Sequence, residues 1–597
     1  VLKLINDFSK SKAYDLELQI LLILFLNDCE EWDHLKEVCE RVIFINKLDD
    51  FDTWKLLLKA LIQLKTPSEL ILEKLNSVSS RNSYLACLEY AILTENQQFF
   101  NESLINYYEK FKVKLCCFND IKYYYKTPLF DTNIVLELIE NCKSTFQTDD
   151  DLNTQVNNQK LKLLLKGNVS EIVQENFNLY LKFTPLLKKK ETTDYFAGDE
   201  FILINVQHIL QNDDFPMACY KAVALLEHAM VRDKHESRLK LMAMKIYNYL
   251  NLRDLSIKYY QDLKIKMIQC DTLGYTINSR ISSVTPTAEN CNTLTNIQKF
   301  YLTCTEEMDD TLINAFDKNI FNKLKGFIEF SQRINHSTGK LLNTLELLRV
   351  SKSVRNQPVH KFCLEAIKSE NLHLQINTKL EDNRDFSSAW KFAKNDEDKI
   401  LDQKLSVGPV VGDVYLKAFS IIHLILEESN SARANLLLSQ LNKLSLTEKD
   451  FTLAELWVLK VYVALFKRYL VNPKNTADSN FLIKNLQLNT IKPLKGIHHP
   501  WESNHAILLT FELCKNVIQY TSVHQLPKDQ SSVAGDIKRK VQLLLSDLRE
   551  FEPPIANINK IKEEISQWEV TESWISKLMR YLIKYLPTKN ILARVEK

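Results

Sequence analysis

Across 597 residues the chain carries only 9 glycines and 14 prolines. Together they fill about 4% of positions, against roughly 12% in an average protein. Sheets and turn-rich enzymes use glycine at left-handed and tight-turn positions. A chain so poor in both residues is predicted to be all-α, with helices joined by short connections. The same shortage argues against any chemistry built on a glycine-rich loop. The length exceeds what one core holds and suits several domains or one long repeat array.

Charge narrows the partners little. With 77 Lys+Arg against 75 Asp+Glu the net charge is +2. The chain as a whole is therefore no polybasic binder, and no specific DNA binding is expected; contact with a nucleic-acid surface would need a local basic patch. Hydrophobic residues at 45% and charged residues at 25% make an ordinary globular composition. The most apolar run, Leu453 to Val471, carries Glu455, Lys460, Lys467 and Arg468. These are costly in a bilayer and suit a buried helix with snorkelling ends. Leu16 to Leu26 is too short to span, so no membrane segment is expected. The first residues lack the pattern of a secretory signal. None of the 12 cysteines has a C-x-x-C neighbour. This reads as a reduced, cytoplasmic protein, and Val1 in place of methionine points to a natural start further upstream.

Helical periodicity is immediate. Tyr14–Phe25, Trp32–Ile45, Phe51–Leu64, Glu69–Val78, Tyr84–Thr94 and Phe99–Phe111 read as short amphipathic helices. Thr66, Pro67 and Glu69 read as a capping-box start, and Ser445 with Glu448 as another before a long helix near Phe451. First helices of successive pairs begin near Asp15, Asp52, Ser83 and Cys116. That spacing is close to the 34 residues of a tetratricopeptide repeat. Ser103 with Tyr107, Ser256 with Tyr260 and, loosely, Ala432 with Leu436 satisfy its A-x-x-x-F signature. Trp54 and Leu57 match its W-x-x-L opening, with Leu58 in place of the glycine. The predicted fold is an α-solenoid of antiparallel helix pairs with degenerate tetratricopeptide-like repeats. Polar breaks, among them 145–158, 282–296 and 472–500, divide it into three parts. These are an N-terminal array over 1–145, a middle array over 146–471 and a C-terminal helical region over 472–597.

Catalytic and cofactor signatures are missing from the sequence. There is no G-x-x-x-x-G-K, no G-x-G and no G-x-S-x-G. The phosphate cradle that acetyl-CoA needs is therefore not expected here. His235-Glu236 begins like a zinc helix, but Leu239 stands where the second histidine belongs. His498, His499, Glu502 and His505 read as a helix start with surface histidines. Asp150-Asp151 and Asp309-Asp310 read as polar connections. Lys188-Lys189-Lys190 reads as a solvated loop or an anionic-partner contact, and Tyr123-Tyr124-Tyr125 as groove filling between repeats. No catalytic, cofactor-binding or metal residue is assigned.

Several stretches resemble one family. They are Cys116–Lys122, Gly198–Ile204, Tyr259–Lys266 continuing through Ile268–Tyr275, and Asp382-Asn383-Arg384-Asp385. Taken singly, each reads as a cap, a tight turn or a surface ion pair. As an ordered set on a solenoid of this length they resemble the auxiliary, non-catalytic subunit of the N-terminal acetyltransferase B complex (NatB, the Mdm-type family). The resemblance implies a scaffold that wraps a GNAT-fold catalytic subunit. That partner would bind acetyl-CoA and acetylate nascent chains starting Met-Asp, Met-Glu, Met-Asn or Met-Gln, with the scaffold helping to anchor it to ribosomes through local basic patches. The competing readings are another helical-repeat scaffold, such as a different acetyltransferase auxiliary subunit or a proteasome-lid-like subunit, and a stand-alone all-α enzyme. A partner domain of about 150 residues, some 30 to 35 Å across, needs solenoid on both sides. It is therefore expected on the concave face of the middle array, around residues 200 to 470. Tyr260, Asp271, Thr272, Leu273 and Tyr275 are the expected partner-binding residues.

Overall fold

A computed structural model describes residues 16–142, 145–166, 171–188, 190–373, 379–386, 388, 397–491, 499–524, 526, 531–550, 558–566 and 580. Among them there is no strand. One isolated bridge joins Ser337 to Glu381, and the rest of the regular structure is helical. Successive helices pack as pairs, and the chain divides into two compact units, Val1–Asn205 and Val206–Lys597.

The turns explain how so few glycines suffice. The helices ending at Asp28, Gln63, Leu93, Tyr249, Asp317 and Ser353 close on Glu30, Lys65, Glu95, Asn251, Asn319 and Arg355. Each of these has a φ between 51° and 61°, the left-handed conformation usually given to glycine. In every case the next amide donates to a carbonyl five residues back, as Thr66 does to Leu61 (3.0 Å) and Asn96 to Ala91 (2.9 Å). A side chain held in that conformation costs about 1–2 kcal/mol, and glycine gives part of this back as lost chain entropy. Glu95→Gly is therefore expected to stabilise the first unit by about 0.5–1 kcal/mol, read as a higher melting midpoint.

Several helix starts are fixed by side-chain caps. Asp50 accepts from the Thr53 amide (2.8 Å) at the head of Phe51–Gln63, and Ser80 and Ser83 form a reciprocal box at Arg81–Leu93. Two expected boxes are placed differently. Ser68–Asn76 starts from Pro67 with no side-chain cap, so Thr66 plays no such part. The long apolar helix, Leu453–Phe466, is boxed by Thr452 and Glu455, not by Ser445 and Glu448. The stretch Trp32–Ile45 is an α-helix to Glu40 and a π turn from Arg41 to Ile45.

In the first unit, Trp54 is buried against Phe44, with ring centroids 5.7 Å apart, and its Nε1 donates to Asp49 (2.9 Å). A second cluster gathers Phe100, Leu104, Tyr107 and Tyr124 with Leu161 and Leu164 of Asp149–Lys166. The Asn157 Nδ2 caps the carbonyls of Lys112 and Lys114 (both 2.8 Å), and Tyr108 donates to Asn158 (2.7 Å). Helix Asp149–Lys166 thus shares its core with the helices before position 145. Asp150 and Asp151 lie in its first turn, not in a connection. Hydrogen bonds from Thr145, Gln147 and Thr148 hold the Asp151 carboxyl well below the usual carboxylate range. Ser103 and Tyr107 are buried as the repeat signature expects, and Tyr124 is buried beside an exposed Tyr123. Ala432 and Leu436, by contrast, face solvent, so that loose match marks no helix crossing.

The spine of the second unit is Thr338–Ser353, buried on nearly every face. It packs against Ala288–Asp317, Gln357–His373, Tyr275–Asn278 and Asp413–Glu427. The expected break over 282–296 is only partly one, because the 30-residue helix Ala288–Asp317 begins inside it. Asp309 and Asp310 lie within that helix. No helix of the described residues is long and apolar enough to cross a membrane. Glu455 and Arg468, expected as snorkelling ends, are fully buried.

Candidate functional site

Two of the four stretches that carry the resemblance, Tyr259–Tyr275 and Asp382–Asp385, meet inside the second unit. Ser237–Tyr249 and Arg253–Asp262 form a pair, with Tyr247 stacked on Tyr259 and both hydroxyls donating to Glu227 Oε1 (2.5 and 2.6 Å). Two short helices follow, Gln269–Leu273 and Tyr275–Asn278. The Asp385 amide donates to the Thr272 carbonyl (2.9 Å), and the Tyr275 hydroxyl donates to the Asp385 carbonyl (2.9 Å). The Phe386 ring lies 4.7 Å from that of Tyr275. Lys245 reaches the same hydroxyl (2.8 Å) and forms a buried ion pair with Asp402. Burial still pulls its pKa below the ordinary lysine value despite Asp402.

Asp271 is 1% exposed. It accepts hydrogen bonds from Tyr301 (2.9 Å) and Ser337. Gly339 makes the approach possible, since a Cβ there would lie 2.6 Å from Asp271 Oδ1, 3.0 Å from the Tyr301 hydroxyl and 3.1 Å from the Asp271 carbonyl. Gly339→Ala is expected to destabilise the second unit by about 1–3 kcal/mol, seen as a lower urea midpoint. Gly274, expected at a tight turn, is instead helical (φ −57°). A Cβ there would sit 2.3 Å from the Cys270 carbonyl oxygen, so close packing rather than backbone freedom requires it.

Two further ionic centres flank this junction. Arg280 pairs with Glu455 (2.7 and 3.2 Å) and donates to the carbonyls of Val407 (2.7 Å) and Pro409 (2.6 Å). Arg349 bridges Glu346 (3.0 Å) and Glu512 (2.7 Å) and reaches the Tyr415 hydroxyl (3.3 Å). Glu346 in turn accepts from the Ser282 amide (2.8 Å). His505 corrects the expectation of a surface histidine: it is 1% exposed, between Ser283 (2.8 Å) and Thr452 (3.0 Å). His499 meets the Tyr249 hydroxyl (2.9 Å) and stacks on Trp501. His498 and Lys189 lie outside the described residues.

Burial holds the His505 ring neutral, with its pKa drawn from 6.5 to about 4 although Glu455 pulls the other way. A neutral ring in the fold and a protonated one in the unfolded chain fix the sign. Stability is complete above pH 6.5 and is lost as pH falls from 6.5 towards 4, by about 1.4 kcal/mol per pH unit for such a group. His505→Gln is expected to flatten that slope by one proton between pH 6.5 and 5, measured by urea denaturation across the range.

This arrangement builds rigidity, not turnover. The carboxylates of Asp271, Asp402, Glu346, Glu455 and Glu512 are each engaged by a named hydroxyl or cation. Burial pushes the Cys39 thiol up to about 12 and the Cys270 thiol to about 11, away from nucleophilic thiolates. Among the described residues no group of three His, Cys, Asp or Glu could hold a metal ion. Of the expected partner-binding residues, Tyr260, Asp271 and Tyr275 are buried, while Thr272 and Leu273 are half-buried beside exposed Met267 and Ile268. Arg280, Arg349, Glu346, Asp402 and Glu512 were missed from sequence. Their signal was a charge inside an apolar run, as with Arg280 ahead of Ile281 and Glu512 within Ile507–Val517.

The fold and this junction define a helical-repeat scaffold. The model of the N-acetyltransferase B complex (NatB) non catalytic subunit family matches residues 51–386, and the chain belongs to that family. The similarity extends to the N-terminal acetyltransferase B complex subunit MDM20 of Saccharomyces cerevisiae, 25% identical over 503 residues, which cover 81% of this chain and 60% of that protein. The subunit arm1 of Schizosaccharomyces pombe is 24% identical, over 98% of this chain and 74% of its own length. For the human N-alpha-acetyltransferase 25, NatB auxiliary subunit, the figures are 23%, 50% and 33%. The chain thus spans between a third and three quarters of the length of these relatives. A chain of the solved NatB acetyltransferase complex bound to a bisubstrate inhibitor matches with a TM-score of 0.73 and 26% identity, over 98% of this chain and 78% of that one.

Proposed function

We propose that this chain is the scaffold of a two-subunit NatB-type enzyme. It holds a GNAT-fold catalytic subunit that binds acetyl-CoA and acetylates nascent chains beginning Met-Asp, Met-Glu, Met-Asn or Met-Gln. The observation that carries the reading is the match over nearly the whole chain to a subunit of a solved NatB complex, joined to family membership over residues 51–386. The working place is the cytoplasm, with the ribosome met through local basic patches. The partner docks on the second unit, where the surface around Met267, Ile268, Thr272 and Leu273 lies directly over the Asp271–Tyr275–Asp385 junction. A rigid junction suits this task, because a scaffold that holds a partner in one geometry avoids the ordering cost at each encounter.

The test is an acetylation assay on the four peptide classes. The catalytic subunit co-expressed with this chain is expected to acetylate Met-Asp and Met-Glu peptides, and this chain alone to show no transfer and no acetyl-CoA binding by calorimetry. Transfer by the isolated chain would overturn the proposal.

A further inference from the structure

The 30-residue helix Ala288–Asp317 is anchored through its first half. Leu294, Ile297 and Tyr301 are buried there, and Tyr301 donates to Asp271 (2.9 Å). Beyond Tyr301 only Met308 and Ala315 are buried among the described residues of the helix. Its hairpin partner, Phe321–Asn335, packs chiefly on it. An arm of two helices with so few buried side chains has little to hold it, because helices in proteins are stabilised mainly by tertiary packing. The outer face of the arm carries Leu302, Glu306, Asp309, Ile313 and Phe316. Separations of 4, 3, 4 and 3 residues put all five on one stripe, the spacing of a coiled-coil seam. Every one is exposed, Leu302 by 43% and Ile313 and Phe316 by 59% each. Neither Glu306 nor Asp309 is in an ion pair with a described residue.

A helix laid on this stripe meets apolar groups towards both ends and two carboxylates between them. Covering a carboxylate is costly unless a cation comes with the cover. Lysine or arginine at the two facing positions supplies one, as charged seam positions do when they select a partner. A second copy of this chain supplies none. Paired in parallel, or about its middle in antiparallel, the stripe sets Asp309 against Asp309. An acidic or wholly apolar helix leaves the two carboxylates repelled or unanswered. We propose that the stripe docks an amphipathic helix of another protein, with a basic residue facing each of Glu306 and Asp309 and apolar residues on either side. This inference does not rest on the docking of the catalytic subunit around Met267 and Ile268.

Two synthetic helical peptides of equal length test it. Both carry leucine at the positions that meet Leu302, Ile313 and Phe316. They differ at the two positions that meet Glu306 and Asp309, with lysine in one and glutamate in the other. Binding to the purified full chain is read by fluorescence anisotropy. The lysine peptide is expected to bind about tenfold more tightly than its glutamate twin, or better, with the gap narrowing as salt is raised. The double variant Glu306→Lys with Asp309→Lys is expected to invert that preference. Ile313→Glu, which leaves both carboxylates in place, should weaken the lysine peptide about tenfold. All three changes are at exposed positions, so the fold is retained. Equal binding of the two peptides, or a preference that survives the double variant, would overturn the proposal. So would a dimer of the chain in analytical ultracentrifugation that Ile313→Glu disperses, since the stripe would then hold a second copy.

Discussion

Replacing Arg280 with methionine is expected to cost the second unit about 3–5 kcal/mol, the scale seen when one partner of a buried ion pair is removed. The guanidinium is 1% exposed and makes two bonds to Glu455 and two to the carbonyls of Val407 and Pro409. Methionine fills much of the volume and answers none of these groups. Glu455 is then a buried carboxylate whose nearest remaining cation candidate is the neutral His505, 3.4 Å away. A companion substitution, Glu455→Gln, removes the stranded charge while keeping an acceptor for the Thr452 amide (2.7 Å). The double variant is therefore expected to recover more than half of the loss. The urea midpoint of the second unit measures both. A single variant that melts with the wild type would mean that water reaches this pair and that the junction is not the rigid centre described above.

The second large effect concerns binding. Met267 is 62% exposed and Ile268 40%, at the head of the segment that covers Asp271. Replacing both by glutamate is expected to weaken capture of the catalytic subunit about thirtyfold or more, the scale of losing an interface hot spot. The fold should be unchanged, because neither side chain belongs to the core. Leu93→Glu, an equally exposed apolar site on the first unit, serves as the control and is expected to leave capture unaltered. If the control fails and the double variant does not, the docking surface belongs to the first unit, whatever the family.

Much of the fold was legible because helices announce themselves by periodicity. The segments Phe51–Leu64 and Phe99–Phe111 are found within two residues of their expected bounds, as Phe51–Gln63 and Gln97–Phe111. Caps were harder to read. Thr452-x-x-Glu455 and Ser445-x-x-Glu448 are the same pattern, and only packing of the helix decides which one starts it. The scarcity of glycine pointed to helices correctly, yet the turns themselves were hidden, because Glu30, Lys65, Glu95 and Arg355 carry no local signal for a left-handed conformation. The junction was legible only in part. The Ile268–Tyr275 and Asp382–Asp385 stretches stood out, but their meeting through Tyr275 and Asp385 spans 110 residues, and no periodicity reports such a contact. Lys245 with Asp402 and Arg280 with Glu455 are separated by 157 and 175 residues. In sequence they look like isolated charges on apolar helices, which is why Glu455 was read as a snorkelling end.

The central claim is that this chain is a scaffold completed by a GNAT-fold subunit. Native mass spectrometry of the chain co-expressed with a NatB-type catalytic subunit tests it most directly. The account predicts a complex of one copy of each chain that survives desalting, binds one acetyl-CoA, and loses that acetyl-CoA with the catalytic subunit when the two are separated. Two unassociated chains, or acetyl-CoA retained by this chain after separation, would contradict it.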